Sequence, residues 1–231
     1  PRDAQDLMAY PFFSLAKSKR LAPIDFKAGS VKIRVEAVPE HGMATIWDAD
    51  VLIWAASQIV EARDVGLRPS RLMATTPYEI LNFIGRGVSL RDYDRLKAAL
   101  DRLELIVPDW FYGAVLDDAL VLTIDRKYFD LTGGLERWLY RLVRKHGGKQ
   151  EFGWSFDFPH LHAKSGSLSP LKHFAYDLRD IVRRQPLPGY RLTIEQYVGG
   201  PEILSFVPTD PDALGIPRRR RRSTTRPGDK L

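Results

Sequence analysis

Apolar residues recur at three- and four-residue steps along residues 169–184, and this spacing predicts an amphipathic helix. Ser169 is placed to cap its N-terminus, and Pro170 suits its first turn. The predicted buried face holds Leu171, Phe174, Leu178 and Ile181. The predicted exposed face holds Lys172, Tyr176, Arg179 and Arg183. Cations there can neutralise phosphates and contact base edges, which suits a DNA groove, although a solvated face is the alternative for one helix alone.

A similar pattern occurs about 81 positions earlier, in residues 89–103, with Ser89 as the predicted cap. Its exposed positions are taken by Arg91, Arg95, Ala98 and Arg102. A shorter predicted helix precedes each of the two, beginning with a capping box at Thr76 and with a cap at Asp157. A short turn that contains glycine joins each pair, at residues 85–87 and 165–167. Two helices in this arrangement, the second one basic, predict a helix-turn-helix.

The repeat extends to both sides of these pairs. A third helix is predicted before each pair, over residues 48–63 and 132–146, and β-branched runs precede these helices at residues 31–35 and 120–124. Strand-like runs follow the basic helices, at residues 105–107, 190–194 and 203–206. Three helices with a trailing hairpin make a winged helix. The predicted fold class is therefore α+β, with two tandem winged-helix domains related by an internal pseudo-repeat.

These elements predict four parts of the chain. They are an N-terminal arm over residues 1–20, a first winged helix over 21–118, a second winged helix over 119–208 and a basic tail over 209–231. A hydrophobic content of 44% is ordinary for a globular protein. The chain has no cysteine, which suits a reducing cytosol, and no apolar run approaches the roughly 20 residues of a membrane span. We therefore expect a cytoplasmic protein without a membrane partner.

The net charge of +6 is unevenly distributed along the chain. Residues 132–191 hold eleven lysines and arginines against five acidic residues, whereas residues 1–131 hold 17 against 19. Residues 218–231 hold seven against one and include the unbroken run Arg218–Arg222, which could clamp phosphates or remain a solvated tail. The distribution predicts that the basic surface lies in the second half and the tail. If one half is the main DNA reader, we expect it to be the second.

The predicted DNA-contacting residues lie on the two basic helices and on the turns before them. In the second half they are Lys164, Ser167, Ser169, Lys172, His173, Tyr176, Arg179, Arg183 and Arg184. In the first half they are Arg86, Arg91, Arg95 and Arg102. No catalytic residue, metal ligand or cofactor is predicted. In particular, Gly85-Arg86-Gly87 lacks the spacing of a nucleotide-binding loop.

The triplet His160-Leu161-His162 raises the alternative of a metal-dependent nicking nuclease, in which two histidines hold a divalent cation and a tyrosine such as Tyr176 or Tyr140 attacks a phosphate. That chemistry needs both histidines on one side of a strand, where residues i and i+2 point the same way. Here the triplet opens a predicted helix, on which such residues diverge by about 200°. We therefore expect the protein not to be an enzyme.

Six blocks of the sequence are long enough to compare with known families. They are PFFSL (11–15), GMATIWDAD (42–50), TPYEIL (76–81), FIGRG (83–87), LTGGLERWLYRLVRKHGG (131–148) and SGSLSP (165–170). Together they resemble the plasmid replication initiator protein A family, from about Tyr10 to Val207. The chain departs from the family pattern at one place. The family pattern carries a longer polar and aromatic stretch after the first basic helix, whereas here Leu103-Glu104 joins the flanking segments directly.

The resemblance implies a bacterial, plasmid-associated initiator that binds repeated sequences (iterons) in double-stranded origin DNA. It also implies that the protein helps to open the duplex and recruits a host initiator and a replicative helicase. By analogy with iteron-binding initiators, the first winged helix would support an equilibrium between monomer and dimer, and the second would read the DNA. A winged-helix transcriptional repressor is the alternative within DNA binding.

Overall fold

The computed structural model describes residues 1–70, 73–103, 109–147 and 152–210. Within these ranges the helices are α1 (Gln5–Ala9), α2 (Ala49–Asp64), α3 (Pro77–Phe83), α4 (Leu90–Leu103), α5 (Asp109–Leu116), α6 (Gly134–Gly147), α7 (Phe158–Ser165) and α8 (Leu171–Arg184). The strands are β1 (Arg2–Ala4), β2 (Ile24–Ala28), β3 (Val31–Val35), β4 (Val121–Thr123), β5 (Trp154–Asp157), β6 (Tyr190–Gln196) and β7 (Glu202–Pro208). Short 3₁₀ helices cover Asp118–Leu120 and Arg126–Asp130. None of the described helices is long and apolar enough to cross a membrane.

The first half contains the three predicted helices α2, α3 and α4. The capping box is confirmed, because the Thr76 hydroxyl accepts from the Glu79 amide at 3.3 Å and the Glu79 carboxylate accepts from the Thr76 amide at 2.8 Å. The three helices share a core whose buried members include Val51, Trp54, Ile80, Leu81 and Leu96. The strand predicted at residues 105–107 lies outside the described residues. The next described element is helix α5, which the sequence analysis did not predict.

The second half contains the predicted helices α6, α7 and α8 and the predicted hairpin of β6 and β7. Gly199, at φ +76°, stands in the turn of that hairpin, where a left-handed backbone favours glycine. Strand β5 was not predicted, and it pairs with β7 to give an antiparallel sheet in the order β5-β7-β6. The sheet and the helices bury a common set of side chains that includes Leu139, Leu161, Leu178, Leu204 and Phe206.

Residues 1–20, predicted as an N-terminal arm, are packed into the protein. Strand β1 pairs with β4 antiparallel, with Arg2 opposite Thr123, and helix α1 packs on α6. The buried carboxylate of Asp3 accepts from the Arg141 guanidinium at 2.7 Å. The segment predicted as an N-terminal arm therefore supplies both backbone partners and a buried countercharge to distant parts of the chain.

The two halves meet across a buried ion network on helix α6. Arg137 donates to both carboxylate oxygens of Asp50 on α2, at 2.7 and 2.9 Å, and Arg86 contacts the same carboxylate at 3.0 Å. Arg144, also buried, donates to the Thr123 carbonyl at 2.7 Å. Three arginines of residues 132–191, at positions 137, 141 and 144, are thus interior groups. Counting the basic residues of the second half therefore overestimates the positive charge on its surface.

Candidate nucleic-acid interface

Helix α8 buries one face and exposes the other, as its sequence predicts. Phe174, Leu178 and Ile181 are buried in the main core. On the opposite face Lys172 and His173 are exposed, and Tyr176 is 71% exposed. Within the described residues, no ion pair or side-chain hydrogen bond involves Lys172, and none involves Tyr176. The first two turns of α8 therefore present a cation, an imidazole and an aromatic ring to solvent.

Arg179 lies further along the same face and is paired with the β6–β7 hairpin. Its Nε donates to Glu202 Oε1 at 2.8 Å, and its Nη2 donates to Oε2 at 2.5 Å. This hydrogen bonding lowers the pKa of the Glu202 carboxyl. The guanidinium is half-exposed, so a DNA base or phosphate would have to compete with a carboxylate that already binds both nitrogens.

Carboxylates also neutralise the last turn of α8. Asp180 contacts Arg183 and accepts from Arg184 at 2.6 Å, and these hydrogen bonds, led by that of Arg184, lower the pKa of Asp180. Arg184 reaches Glu136 at the start of α6, also at 2.6 Å. Arg184 therefore holds α8 against α6, and the unpaired positive charge of the helix is concentrated near its N-terminus.

The turn before α8 is built from glycine and serine. Gly166 ends α7 at φ +63°, and the Ser167 and Ser169 amides donate to the hydroxyls of Ser165 and Ser167, each at 3.1 Å. The predicted cap at Ser169 is wrong by one residue: Pro170 is the N-cap, with no side-chain cap bond, because its backbone is still extended. The Ser167 hydroxyl is therefore engaged in shaping the turn.

The two histidines of the His-Leu-His triplet have separate partners on α7. The ring of His160 stacks on Phe156, with 5.4 Å between centroids, and the His160 amide is capped by Asp157 at 2.7 Å. The His162 Nε2 lies 2.6 Å from the Ser169 carbonyl oxygen. In the described part of the chain no three His, Cys, Asp or Glu side chains are grouped as metal ligands. Tyr140 is buried, and its hydroxyl accepts from the Asp125 amide.

Lys164 at the end of α7 covers one aromatic ring of the N-terminal segment and one of strand β2. Its Nζ lies 5.2 Å from the centroid of Tyr10 and 5.6 Å from that of Phe26, and Lys145 lies 5.7 Å from Tyr10. Burial lowers the pKa of both lysines, and the charge of Lys145 lowers that of Lys164 further. Lys164 was predicted as a DNA contact, and the structure places its amino group against these rings.

His146, at the end of α6, gives the fold a dependence on pH. Its Nε2 is buried without a partner among the described residues, and burial, followed by the charges of Lys145 and Lys164, lowers its pKa to about 4. The folded protein therefore binds the proton less readily than the unfolded chain, so stability is full above pH about 6.5 and falls as the pH drops towards 4.

We expect the free energy of unfolding to fall by about 1 kcal/mol between pH 7 and pH 5 through His146, after a discount for the solvent that reaches the ring. Urea unfolding at both pH values measures this loss. His146→Gln, which is neutral throughout, should show a shallower dependence on pH. Equal dependence in both proteins would contradict the assignment.

The sequence of this chain is related to proteins of DNA replication. A family model described as replication initiator protein A matches residues 2–105 and 103–192. The chain belongs to the replication initiator protein A family. The two matched segments overlap at residues 103–105.

Two further comparisons found similar proteins, one by sequence and one by fold. A putative replication protein of Wigglesworthia glossinidia brevipalpis is 28% identical over 242 aligned positions, covering 86% of each chain. The crystal structure of RctB domains 2-3 is similar in fold, with a TM-score of 0.56 over 89% of this chain and 97% of that one. At 12% identity, this second likeness concerns the fold alone.

In this replication initiator, three of the four basic residues predicted on the first half are engaged in ion pairs, and two of these three are close pairs with buried carboxylates. Arg102 donates to both oxygens of Asp48 at 2.7 and 2.8 Å, and Arg86 contacts the buried Asp50. Arg91 and Arg95 are exposed on α4, where Arg95 lies 3.8 Å from Asp92. Of the four predicted arginines, Arg91 and Arg95 are therefore the two whose guanidinium groups are mainly exposed to solvent.

The sequence analysis missed the buried acids that hold the interior arginines. Asp3 precedes its partner Arg141 by 138 residues, and Asp50 precedes Arg137 by 87 residues. The one local signal was that Arg137, Arg141 and Arg144 share a face of α6 with apolar neighbours on both sides. A basic stripe so closely flanked by Trp138, Leu139, Leu142 and Val143 was already atypical of a solvated surface.

Proposed function

We propose that this replication initiator binds repeated double-stranded sequences (iterons) at a plasmid origin through the exposed face of α8. The observation that carries the proposal is that the unpaired cation and aromatic ring of α8, at Lys172 and Tyr176, directly follow the short turn after α7. A basic helix behind such a turn is the usual reader of a major groove. The family assignment supports origin DNA as the partner.

We further propose that the second half is a winged helix. The order α6, β5, α7, α8 and the hairpin β6–β7 supports this, as does the ion pair that joins Arg179 on the helix to Glu202 on the hairpin. The first half also has three successive helices, α2, α3 and α4, which supports an internal repeat. By this proposal it is a second winged helix, used for self-association and an auxiliary DNA contact through Arg91 and Arg95.

The remaining steps follow from the same proposal. Opening of the duplex would draw on DNA bending and on the assembly of several protomers, so the protein itself would act without catalysis. A host initiator and the replicative helicase would then be recruited to the opened origin. A plasmid or nucleoid location would follow from the DNA contact.

A nuclease footprint on origin DNA tests the proposal. We expect protection of several directly repeated sites, each about as wide as the contact of one or two recognition helices. Protection of a single palindromic operator would instead support a transcriptional repressor. No protection of any duplex would overturn the proposal altogether.

Arg179→Ala tests whether this arginine reads a base. We expect a loss of about 1–3 kcal/mol at the iteron and a smaller loss on random duplex, measured by titration of labelled DNA. Glu202→Gln should strengthen binding to both DNAs, because it frees Arg179 and removes a negative charge near the phosphates.

Arg63→Ala is the matched control for this pair of variants. Arg63 is also paired with carboxylates, Asp64 and Asp118, but it stands at the end of α2. Its removal should leave the affinity for the iteron nearly unchanged. An equal loss of affinity on iteron and random DNA in Arg179→Ala would reduce Arg179 to a phosphate contact.

A further inference from the structure

Strands β2 and β3 form a separate hairpin ahead of the first helical unit. They pair with each other over five residues each, and in the described structure neither strand joins another sheet. A two-residue turn of Gly29 and Ser30 connects them, and Gly29 adopts φ +58° there. A positive φ at the first turn position is typical of a tight hairpin, which gives this element a defined tip.

The base of this hairpin is fixed to the turn that leads into α8. Ile24 and Phe26 are its buried side chains, and the ring of Phe26 lies 5.9 Å from that of Tyr10. A Cβ at Gly166 would lie 3.1 Å from Ile24, so the hairpin sits directly on the end of α7. Arg20, just before the hairpin, donates to the Gly166 carbonyl at 2.6 Å. The hairpin and the start of α8 are therefore held in one arrangement.

The exposed face of the hairpin carries one cross-strand pair of opposite charges and one cross-strand pair of like charges. Arg34 stands opposite Asp25 and contacts it at 2.8 Å, and it also contacts Glu36 at 2.7 Å, so its positive charge is neutralised. Lys27 stands directly opposite Lys32, nearer the tip, and both are exposed. Neither lysine has an acidic partner among the described residues. Like charges directly opposite destabilise a strand pair, so this pair lowers the stability of the hairpin when nothing is bound.

We infer that Lys27 and Lys32 clamp the phosphate backbone of the same duplex that α8 enters, beside the groove. This inference rests on the proposed function. From Phe26 to the tip the strand spans about 10 Å, which keeps the two lysines close to the turn that positions α8. Two neighbouring ammonium groups that repel each other in the free protein are both neutralised by phosphates, so binding removes the repulsion.

The test is the salt dependence of DNA binding by the full chain. In Lys27→Ala/Lys32→Ala, the slope of log affinity against log salt concentration should fall by about 2, on iteron and random duplex alike. Between about 50 and 200 mM salt, the wild type should lose about tenfold more affinity than this variant. The thermal midpoint of the variant should be unchanged or higher, because the like-charge pair is gone.

Lys97→Ala/Lys127→Ala is the control, since it removes two exposed lysines from other elements. Its salt slope should match that of the wild type. An unchanged slope in the hairpin variant, or an equal fall in both variants, would overturn the clamp while leaving the α8 contact intact. A wild-type protein that binds no duplex would overturn the proposed function and the clamp together. Lys32→Glu gives a second check, with weaker DNA binding but a more stable hairpin.

Discussion

Asp50→Ala should lower the free energy of unfolding by about 3–5 kcal/mol, because it leaves a buried arginine without its countercharge. Asp50 is 0% exposed, and it accepts from Arg137 at 2.7 and 2.9 Å and from Arg86 at 3.0 Å. Arg137 is almost equally buried, with no solvent to replace the lost carboxylate. Because Asp50 belongs to α2 and Arg137 to α6, the loss should also weaken the packing of the two halves.

Urea unfolding at pH 7 measures this effect. Asp101→Ala is the control, since Asp101 makes an exposed pair with Lys97 four residues away on α4, worth about 0.3–0.5 kcal/mol. Asp50→Asn should retain part of the hydrogen bonding and still lose stability, because the charge of Arg137 stays unbalanced. If Asp50→Ala lost no more stability than Asp101→Ala, the buried network would not hold the halves together.

Gly134→Ala should lower the free energy of unfolding by about 3 kcal/mol, at the upper end of the usual range for overpacking. A Cβ at Gly134 would lie 2.1 Å from the Leu15 carbonyl oxygen and 3.0 Å from the Trp47 ring. The Leu15 oxygen is a backbone atom, so relief of the clash requires the backbone at Leu15 or at the start of α6 to shift. Glycine at position 134, the first residue of α6, therefore permits the close approach of the N-terminal segment.

Gly113→Ala provides a control of opposite sign. Gly113 lies inside helix α5, and no described atom stands within 4 Å of the position of its Cβ. Alanine there should raise stability by about 0.5–1 kcal/mol, because glycine loses more backbone entropy in a helix. Thermal unfolding of both variants measures the contrast. A neutral Gly134→Ala would contradict the tight contact with Leu15.

Local patterns predicted the helices of this protein well. The capping box at Thr76, the cap at Asp157 and the apolar spacing of α8 all correspond to observed elements. These features depend on residues within one or two helical turns of each other, so they can be recognised directly in the sequence. The one-residue error at Ser169 arose because serine and proline both suit the start of a helix, and only the backbone geometry separates them.

Elements that depend on distant partners were harder to predict. Strand β5 has four residues and exists as a strand through its pairing with β7, about 50 positions later. Strand β1 has three residues and pairs with β4, about 120 positions later. Helix α5 interrupts the expected repeat of the first half. In each case the stabilising contact lies outside any window in which a pattern can be recognised.

The amino-acid sequence alone was enough to predict six amphipathic helices, the β6–β7 hairpin, the family and the exposed basic face of α8. It did not show that Arg137, Arg141 and Arg144 of α6 are buried, since arginines recur at helical spacing there as they do on α8. The tertiary structure decided this. Buried Asp3 and Asp50 neutralise Arg141 and Arg137 inside the protein, whereas Lys172 and Tyr176 remain exposed on α8. The physical reason is that a buried cation is stable when a countercharge neutralises it, and here the two countercharges lie 138 and 87 residues before their partners in the chain.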